Sequence, residues 1–108
     1  MNDKTLNFLG LCRRAGRLTL GNDAVVEEIK NGKARLVIVS GDISLNTEKK
    51  LRKVCNDYGV SCVKMKHSRD ELSAALGRFC ATGAVLDEGF AKKLAQLISN
   101  DTSGGNCL

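Results

Sequence analysis

Residues 21 to 42, GNDAVVEEIKNGKARLVIVSGD, contain a short helix pattern, a glycine turn and an unbroken apolar strand pattern. Val25, Val26 and Ile29 recur at helical spacing and predict the buried side of a helix, and Asn22 is a residue type that caps a helix start. The run from Leu36 to Val39 is apolar throughout, which is typical of a strand buried on both faces. Such a strand requires helices packed over both faces of its sheet.

The rest of the sequence continues this alternation of helix and strand patterns. A Ser-x-x-Glu spacing at Ser68 is the capping box that marks a helix start. The predicted elements outside residues 21 to 42 are a helix from residue 2 or 3 to Gly16, a helix from residue 46 or 47 to Gly59, a strand over 60–65, a helix over 68–77, a strand over 83–86 and a helix over 88–99. The alternation predicts an α/β domain with helices on both faces of a small sheet.

Length and composition predict one globular domain. A chain of 108 residues with 43% hydrophobic and 27% charged residues has the balance of a folded protein, and we expect a single domain over residues 1–99. The polar residues 100–108 are expected to form a flexible tail. The first ten residues lack the pattern of a secretory signal, and no apolar run approaches the roughly 20 residues of a membrane span. We therefore expect a cytoplasmic protein with no membrane partner.

The sequence offers little support for catalysis or metal binding. Five cysteines occur without a Cys-x-x-Cys pair, and Cys12, Cys55 and Cys62 are predicted to be reduced core residues. The single histidine, His67, is predicted to lie in a surface loop. Asp42 follows the predicted strand, where open α/β sheets often bind ligands, but it is also a common turn former. We predict no catalytic residue, metal, cofactor or small-molecule substrate, and keep a small enzyme that uses Asp42 as a minor alternative.

The net charge of +5 is concentrated in the first two-thirds of the sequence. Residues 1–35 and residues 36–70 each carry seven basic against four acidic side chains, whereas residues 71–108 carry three against four. Basic residues approach both ends of the second predicted helix: Arg13, Arg14 and Arg17 before it, and Lys30, Lys33 and Arg35 at its end. This pattern is consistent with a solvated rim or with a surface that attracts phosphates.

The segment from Gly32 to Asp42, GKARLVIVSGD, together with Gly21 and the polar helix start after it, resembles the ribosomal protein L-seven-Ae and L-thirty-e family, whose members bind kink-turn RNA. The similarity extends to Gly77 and covers nearly the whole globular part. The stretches LGLCRRAGRLTLG and DEGFAKKL are similar to the bacterial YlxQ-like branch of that family.

This resemblance implies a three-layer α-β-α sandwich with a small mixed sheet. It implies that the start of the second helix enters the widened major groove of a kinked RNA duplex and reads tandem sheared G·A pairs. The loop after Gly77 would pack against a flipped-out base, and Phe79 there is suited to base stacking, although an aromatic residue beside a helix end can equally plug the core. The predicted RNA-binding residues are Arg17, Gly21, Asn22, Asp23, Glu27, Lys30, Lys33, Arg78, Phe79 and Cys80.

The sequence departs from the family pattern Gly-x-Asn-Glu-x-x-Lys at the second helix. Asp23 replaces the asparagine and loses the amide donor, and Ala24 replaces the glutamate and can make neither contact. Glu27 replaces the lysine and repels phosphate. Two functions follow from these observations. The first is a non-enzymatic, ribosomal-protein-like protein that binds kink-turn or ribosomal RNA, with the ribosome as a candidate partner. The second is a protein-interaction or ribosome-assembly module with weakened kink-turn specificity.

Overall fold

The structure, a computed structural model, describes residues 3–106 and the side chains of residues 3–99, and helices and strands alternate throughout that range. The elements are α1 (Lys4–Arg14), β1 (Leu18–Leu20), α2 (Asn22–Lys30), β2 (Leu36–Val39), α3 (Leu45–Tyr58), β3 (Cys62–Lys64), α4 (Arg69–Leu76), β4 (Thr82–Val85) and α5 (Glu88–Asn106).

The four strands form one mixed sheet in the order β1-β4-β2-β3. Strand β2 runs parallel to β3 and antiparallel to β4, and β4 is also antiparallel to β1. Val39 at the end of β2 pairs with Thr82 at the start of β4, and Leu20 at the end of β1 pairs with Gly83. The carboxyl ends of β1, β2 and β3 therefore meet the amino end of β4 at one edge of the sheet, which we name the Gly21 end.

Helices cover both faces of the sheet and build a separate apolar core on each. Leu36 and Ile38 of β2 face a core supplied by α1, α4 and α5, whereas Val37 and Val39 face a core supplied by α2 and α3. All four residues of β2 are buried, as the unbroken apolar run predicted. The three-layer α-β-α sandwich with a small mixed sheet is thus confirmed.

Several element boundaries differ from the sequence-based expectations. Helix α3 starts at Leu45 with Ser44 as its cap, before the predicted residue 46 or 47, and β3 and β4 span Cys62–Lys64 and Thr82–Val85. Strand β1 was not predicted, because three residues are too few to show a period. Helix α2 is capped by Gly21 rather than by Asn22, which is its first helical residue, so the capping role predicted for Asn22 is wrong. Helix α5 continues to Asn106, past residue 100, where the tail was predicted to start. Cys107 and Leu108 lie outside the described residues, and flexibility of the tail stays a prediction.

His67 is buried at 3% exposure, so the prediction of a surface loop position is wrong. Its Nε2 lies 2.7 Å from Oδ2 of Asp3, and Oδ1 of Asp3 accepts a hydrogen bond of 3.0 Å from the amide of Leu6 in the first turn of α1. Partial burial acts to raise the pKa of the Asp3 carboxyl, but the hydrogen bonds from His67 and Leu6 outweigh it and lower the pKa. The contact ties the start of α1 to the connection between β3 and α4.

The cysteines of the described residues are free thiols. Cys12 and Cys55 are buried, which confirms their predicted place in the core, whereas Cys62 is half-buried. Within the described part of the chain, no helix is long and apolar enough to cross a membrane, and no three His, Cys, Asp or Glu side chains are grouped so that they could hold a metal ion.

Replacing Asp3 by alanine is expected to lower the free energy of unfolding by about 1–2 kcal/mol at neutral pH, because α1 loses its cap and His67 loses its partner. Urea unfolding of the full chain measures this change. The folded-state pKa of Asp3 is lowered, so its stabilising effect is fully present above its ordinary pKa of 3.8 and is lost as the pH falls through the folded-state value. The difference in stability between wild type and Asp3→Ala should therefore narrow in acid, down to what a neutral capping oxygen still contributes.

Asp3→Asn is the matched control, because asparagine keeps a capping oxygen without the charge. It should recover much of the stability that Asp3→Ala loses. Equal stability of the wild type and Asp3→Ala at neutral pH would contradict the assigned role of Asp3.

Candidate nucleic-acid interface

Gly21 joins β1 to α2 in a conformation that suits glycine alone, with φ of 102° and ψ of 141°. Its amide donates a hydrogen bond of 3.2 Å to the carbonyl of Thr82, and its carbonyl accepts one of 2.9 Å from the amide of Val25. Gly21 has no side chain to cap α2, so amide groups of the first helical turn are left for solvent or a ligand. The start of α2 is thereby fixed beside the start of β4 with polar backbone groups directed outward.

The rotation of α2 about its axis is set by two contacts. Val25 and Ile29 are fully buried against the sheet, and the hydroxyl of Thr19 in β1 donates a hydrogen bond of 2.8 Å to Oε2 of Glu28. Asp23 and Glu27 are consequently exposed on the opposite side. Asp23 lies in the first turn, where a carboxylate also stabilises the positive end of the helix dipole. The exposed face of α2 is therefore acidic near its amino end.

The loop from Gly77 to Ala81, which we name the Phe79 loop, lies next to this helix start. Gly77 ends α4 in the left-handed conformation with φ of 72°, and the amide of Cys80 donates a hydrogen bond of 3.0 Å to Oγ of Ser73. The side chain of Cys80 is buried at 5% exposure. The side chain of Arg78 reaches toward α2, with Nη2 3.7 Å from the position that a Cβ on Gly21 would occupy. The two predicted contact segments therefore meet at the Gly21 end of the sheet.

Phe79 projects from this loop with 70% of its surface exposed, so it is not a core plug. The guanidinium carbon of Arg69, in the first turn of α4, lies 5.6 Å from the centroid of the ring, which is within the range of a cation–π contact. An exposed ring flanked by a guanidinium group is suited to stack on an unpaired base.

Of the ten predicted residues, five lie together at the Gly21 end with exposed or partly exposed side chains or backbone: Gly21, Asn22, Asp23, Arg78 and Phe79. Cys80 is next to them in sequence but belongs to the core. Glu27 lies one helical turn along α2 from Asp23.

The other three predicted residues lie elsewhere. Arg17 precedes β1 at the opposite end of the sheet, where its carbonyl accepts from the amide of Leu86. Lys30 is the last residue of α2, and Lys33 follows the turn after it. The nine residues of α2 span about 13 Å, which separates these lysines from Gly21.

Two arginines that the prediction left out also reach this region. Besides Arg69, Arg13 extends from the last turn of α1 and places Nη1 3.6 Å from the Cβ position of Gly77. Burial raises the pKa of the Cys80 thiol, and the charges of Arg78 and Arg13 act against this rise. The basic run before Gly21 hinted at Arg13, but no sequence pattern connects Arg69 with Phe79.

Asp42 has a structural partner. Its Oδ1 accepts a hydrogen bond of 2.8 Å from the amide of Arg69 at the start of α4. This confirms the loop-forming role that the sequence favoured for Asp42.

The profile of the family described as ribosomal protein L7Ae/L30e/S12e/Gadd45 matches residues 3–95. The RNA-binding protein YlxQ of Bacillus subtilis is 42% identical over 92 residues, which cover 84% of this chain and 91% of that protein. The RNA-binding protein YlxQ of Enterococcus faecium is 37% identical over 95 residues, which cover 88% and 91%. A solved structure of a protein of unknown function from Bacillus halodurans has a TM-score of 0.85 at 37% identity and covers 91% of this chain and 99% of that one.

Proposed function

This chain belongs to the ribosomal protein L7Ae/L30e/S12e/Gadd45 family, and on that premise we propose that it is a non-enzymatic RNA-binding protein whose ligand is a structured RNA of the kink-turn type. The observation that carries the proposal is the meeting of the start of α2 with the Phe79 loop at the Gly21 end of the sheet. The start of α2 offers polar groups to a groove of the RNA, and the loop offers the exposed ring of Phe79 to an unstacked base.

Similarity to the two YlxQ proteins supports RNA as the partner class, since both carry the name RNA-binding protein and match most of this chain. The local chemistry agrees with this assignment. Arg78 supplies a guanidinium group for phosphate, and the ring of Phe79 is open to a base. Structured RNA exposes such bases at bulges and kinks, which favours a kinked RNA over a regular duplex.

The contacts of α2 differ from those expected of the family pattern. Asp23 can accept hydrogen bonds from guanine amino groups but cannot donate, and Ala24 can do neither. Glu27 is exposed on the same side as Asp23 and repels an approaching phosphate. Binding would therefore depend more on backbone amides, Arg78 and Phe79, and discrimination at the G·A pairs would be weaker.

A protein-interaction or ribosome-assembly module is the second candidate, and the acidic face of α2 favours it. Asp23 and Glu27 form an exposed acidic surface. Such a surface attracts a basic protein segment and repels the phosphates of RNA. Recovery of one defined protein partner by the tagged chain after nuclease treatment, with no binding to a kink-turn RNA, would support this candidate.

A kink-turn RNA should bind more tightly than the same duplex with its G·A pairs replaced by Watson-Crick pairs. The reason is that the kink widens the groove for α2 and exposes a base to Phe79. Titration of both labelled RNAs at several salt concentrations measures the difference, and the affinity should fall as salt rises. Equal and weak binding of the two RNAs would reject kink-turn recognition.

Replacing Glu27 by lysine should strengthen binding to the kink-turn RNA, because it removes a repulsion and adds a phosphate contact. The slope of log affinity against log salt should steepen by about 1. Asp57→Lys is the matched control, since it makes the same change of charge at an exposed site near the end of α3. Unchanged affinity for Glu27→Lys, or an equal gain for Asp57→Lys, would place Glu27 outside the interface.

Phe79→Ala should weaken RNA binding by about 1–3 kcal/mol if the ring stacks on one base. The thermal midpoint should change little, because the side chain is mostly exposed. Phe79→Tyr retains a ring and should bind like the wild type. Loss of affinity in both variants would show that the ring face is not the contact.

A further inference from the structure

A groove between α1 and α4 lies beside the Phe79 loop and is bordered by arginines. Its volume is about 510 Å³, and its walls include Asn7, Gly10, Arg13, Arg14 and Ala75. None of the described residues that line the groove is acidic. Its character is therefore cationic, in contrast to the acidic face of α2.

Small residues create this groove. Gly10 has no side chain, and a Cβ built on it would lie 3.9 Å from the carbonyl oxygen of Ala75. Leu9 of α1 and Leu72 of α4 pack into the core beneath, so the two helices are held close while their outer sides leave a depression. The depression is thus a fixed feature of the packing of α1 against α4.

Among the described residues, the two arginines of the groove have no ion-pair partner. Arg13 and Arg14 are both exposed, and no ion pair formed by the described side chains includes either of them. Their position in the last turn of α1 suits a positive charge. That position does not explain why the guanidinium group of Arg13 extends across to Gly77 at the end of α4.

The groove is continuous with the surface proposed for RNA. The side chain of Arg13 approaches Gly77. The side chain of Arg78, which follows Gly77 in the chain, approaches Gly21, the cap of α2. The charges of Arg13 and Arg78 both act on the thiol of Cys80, which lies beneath the loop. Positive charge therefore runs from Arg78, beside Gly21, to Arg13 in the groove.

We propose that this groove binds the phosphate backbone of the RNA stem that flanks the recognised motif, with Arg13 and Arg14 as the phosphate contacts. The proposal rests on the RNA-binding function proposed above. From Leu6 to Arg14 the groove follows α1 for about 12 Å, and its two cationic side chains lie at the end nearest the loop after Gly77. Contacts of this kind add affinity and orientation without reading sequence.

The test compares two RNAs that carry the same kink-turn motif, one with short flanking stems and one with both stems lengthened. Wild type should bind the long-stem RNA more tightly. The double variant Arg13→Gln/Arg14→Gln should lose on the order of tenfold in affinity for the long-stem RNA, and its salt slope should fall by about 2. Its affinity for the short-stem RNA should fall by less, because only Arg13 also reaches the loop beside Gly77.

Lys49→Gln/Lys53→Gln is the matched control, because it removes the same charge from α3 in the opposite layer. Far-ultraviolet circular dichroism and the thermal midpoint check that both variants fold. An equal loss in the control, an equal loss for both RNAs, or no loss for the long-stem RNA would each overturn the groove assignment. Wild type could show no preference for the kink-turn motif while the arginine double variant still loses affinity for the long-stem RNA. In that case the kink-turn proposal would fail and the groove assignment would stand.

Discussion

The antiparallel return of β4 between β1 and β2 is the constraint on which the arrangement of the molecule depends. It pairs Gly83 with Leu20 on one side and with Ile38 on the other, so residues 63 and 45 positions apart in sequence become neighbours. The amide of Gly21 then donates a hydrogen bond to the carbonyl of Thr82, and the loop before β4 passes the start of α2. A candidate surface of two distant segments thus follows from one strand pairing.

The same packing fixes which side of α2 can meet a partner. Two fully buried residues and the bond from Thr19 to Glu28 prevent the helix from turning, so Asp23 and Glu27 remain outward. Rotating the helix by one residue, about 100°, would expose Val25 and Ile29 and lose roughly 3–6 kcal/mol of apolar burial. Changes on the exposed side of α2 therefore alter what the surface binds and leave the fold intact.

Local rules allowed much of this fold to be predicted from sequence, and tertiary contacts account for what was missed. The buried strand β2 and the capping box of Ser68 with Glu71 depend on neighbours in the chain, and both are confirmed. The contact of Asp3 with His67 joins residues 64 positions apart, and a periodic pattern of apolar residues carries no information about such a contact. At the candidate site, the resemblance indicated the helix start and the loop, but the burial of Cys80 depends on how the loop folds back on α4.

The position of Phe79 has a kinetic consequence. Its ring is already outside the core and already in contact with Arg69 in the free protein. A partner that stacks on the ring does not have to pull it from a buried position or wait for the loop to rearrange. The contact with Arg69 restricts the ring only weakly, because neither group is buried. Binding through Phe79 therefore needs no step that uncovers the ring in this protein.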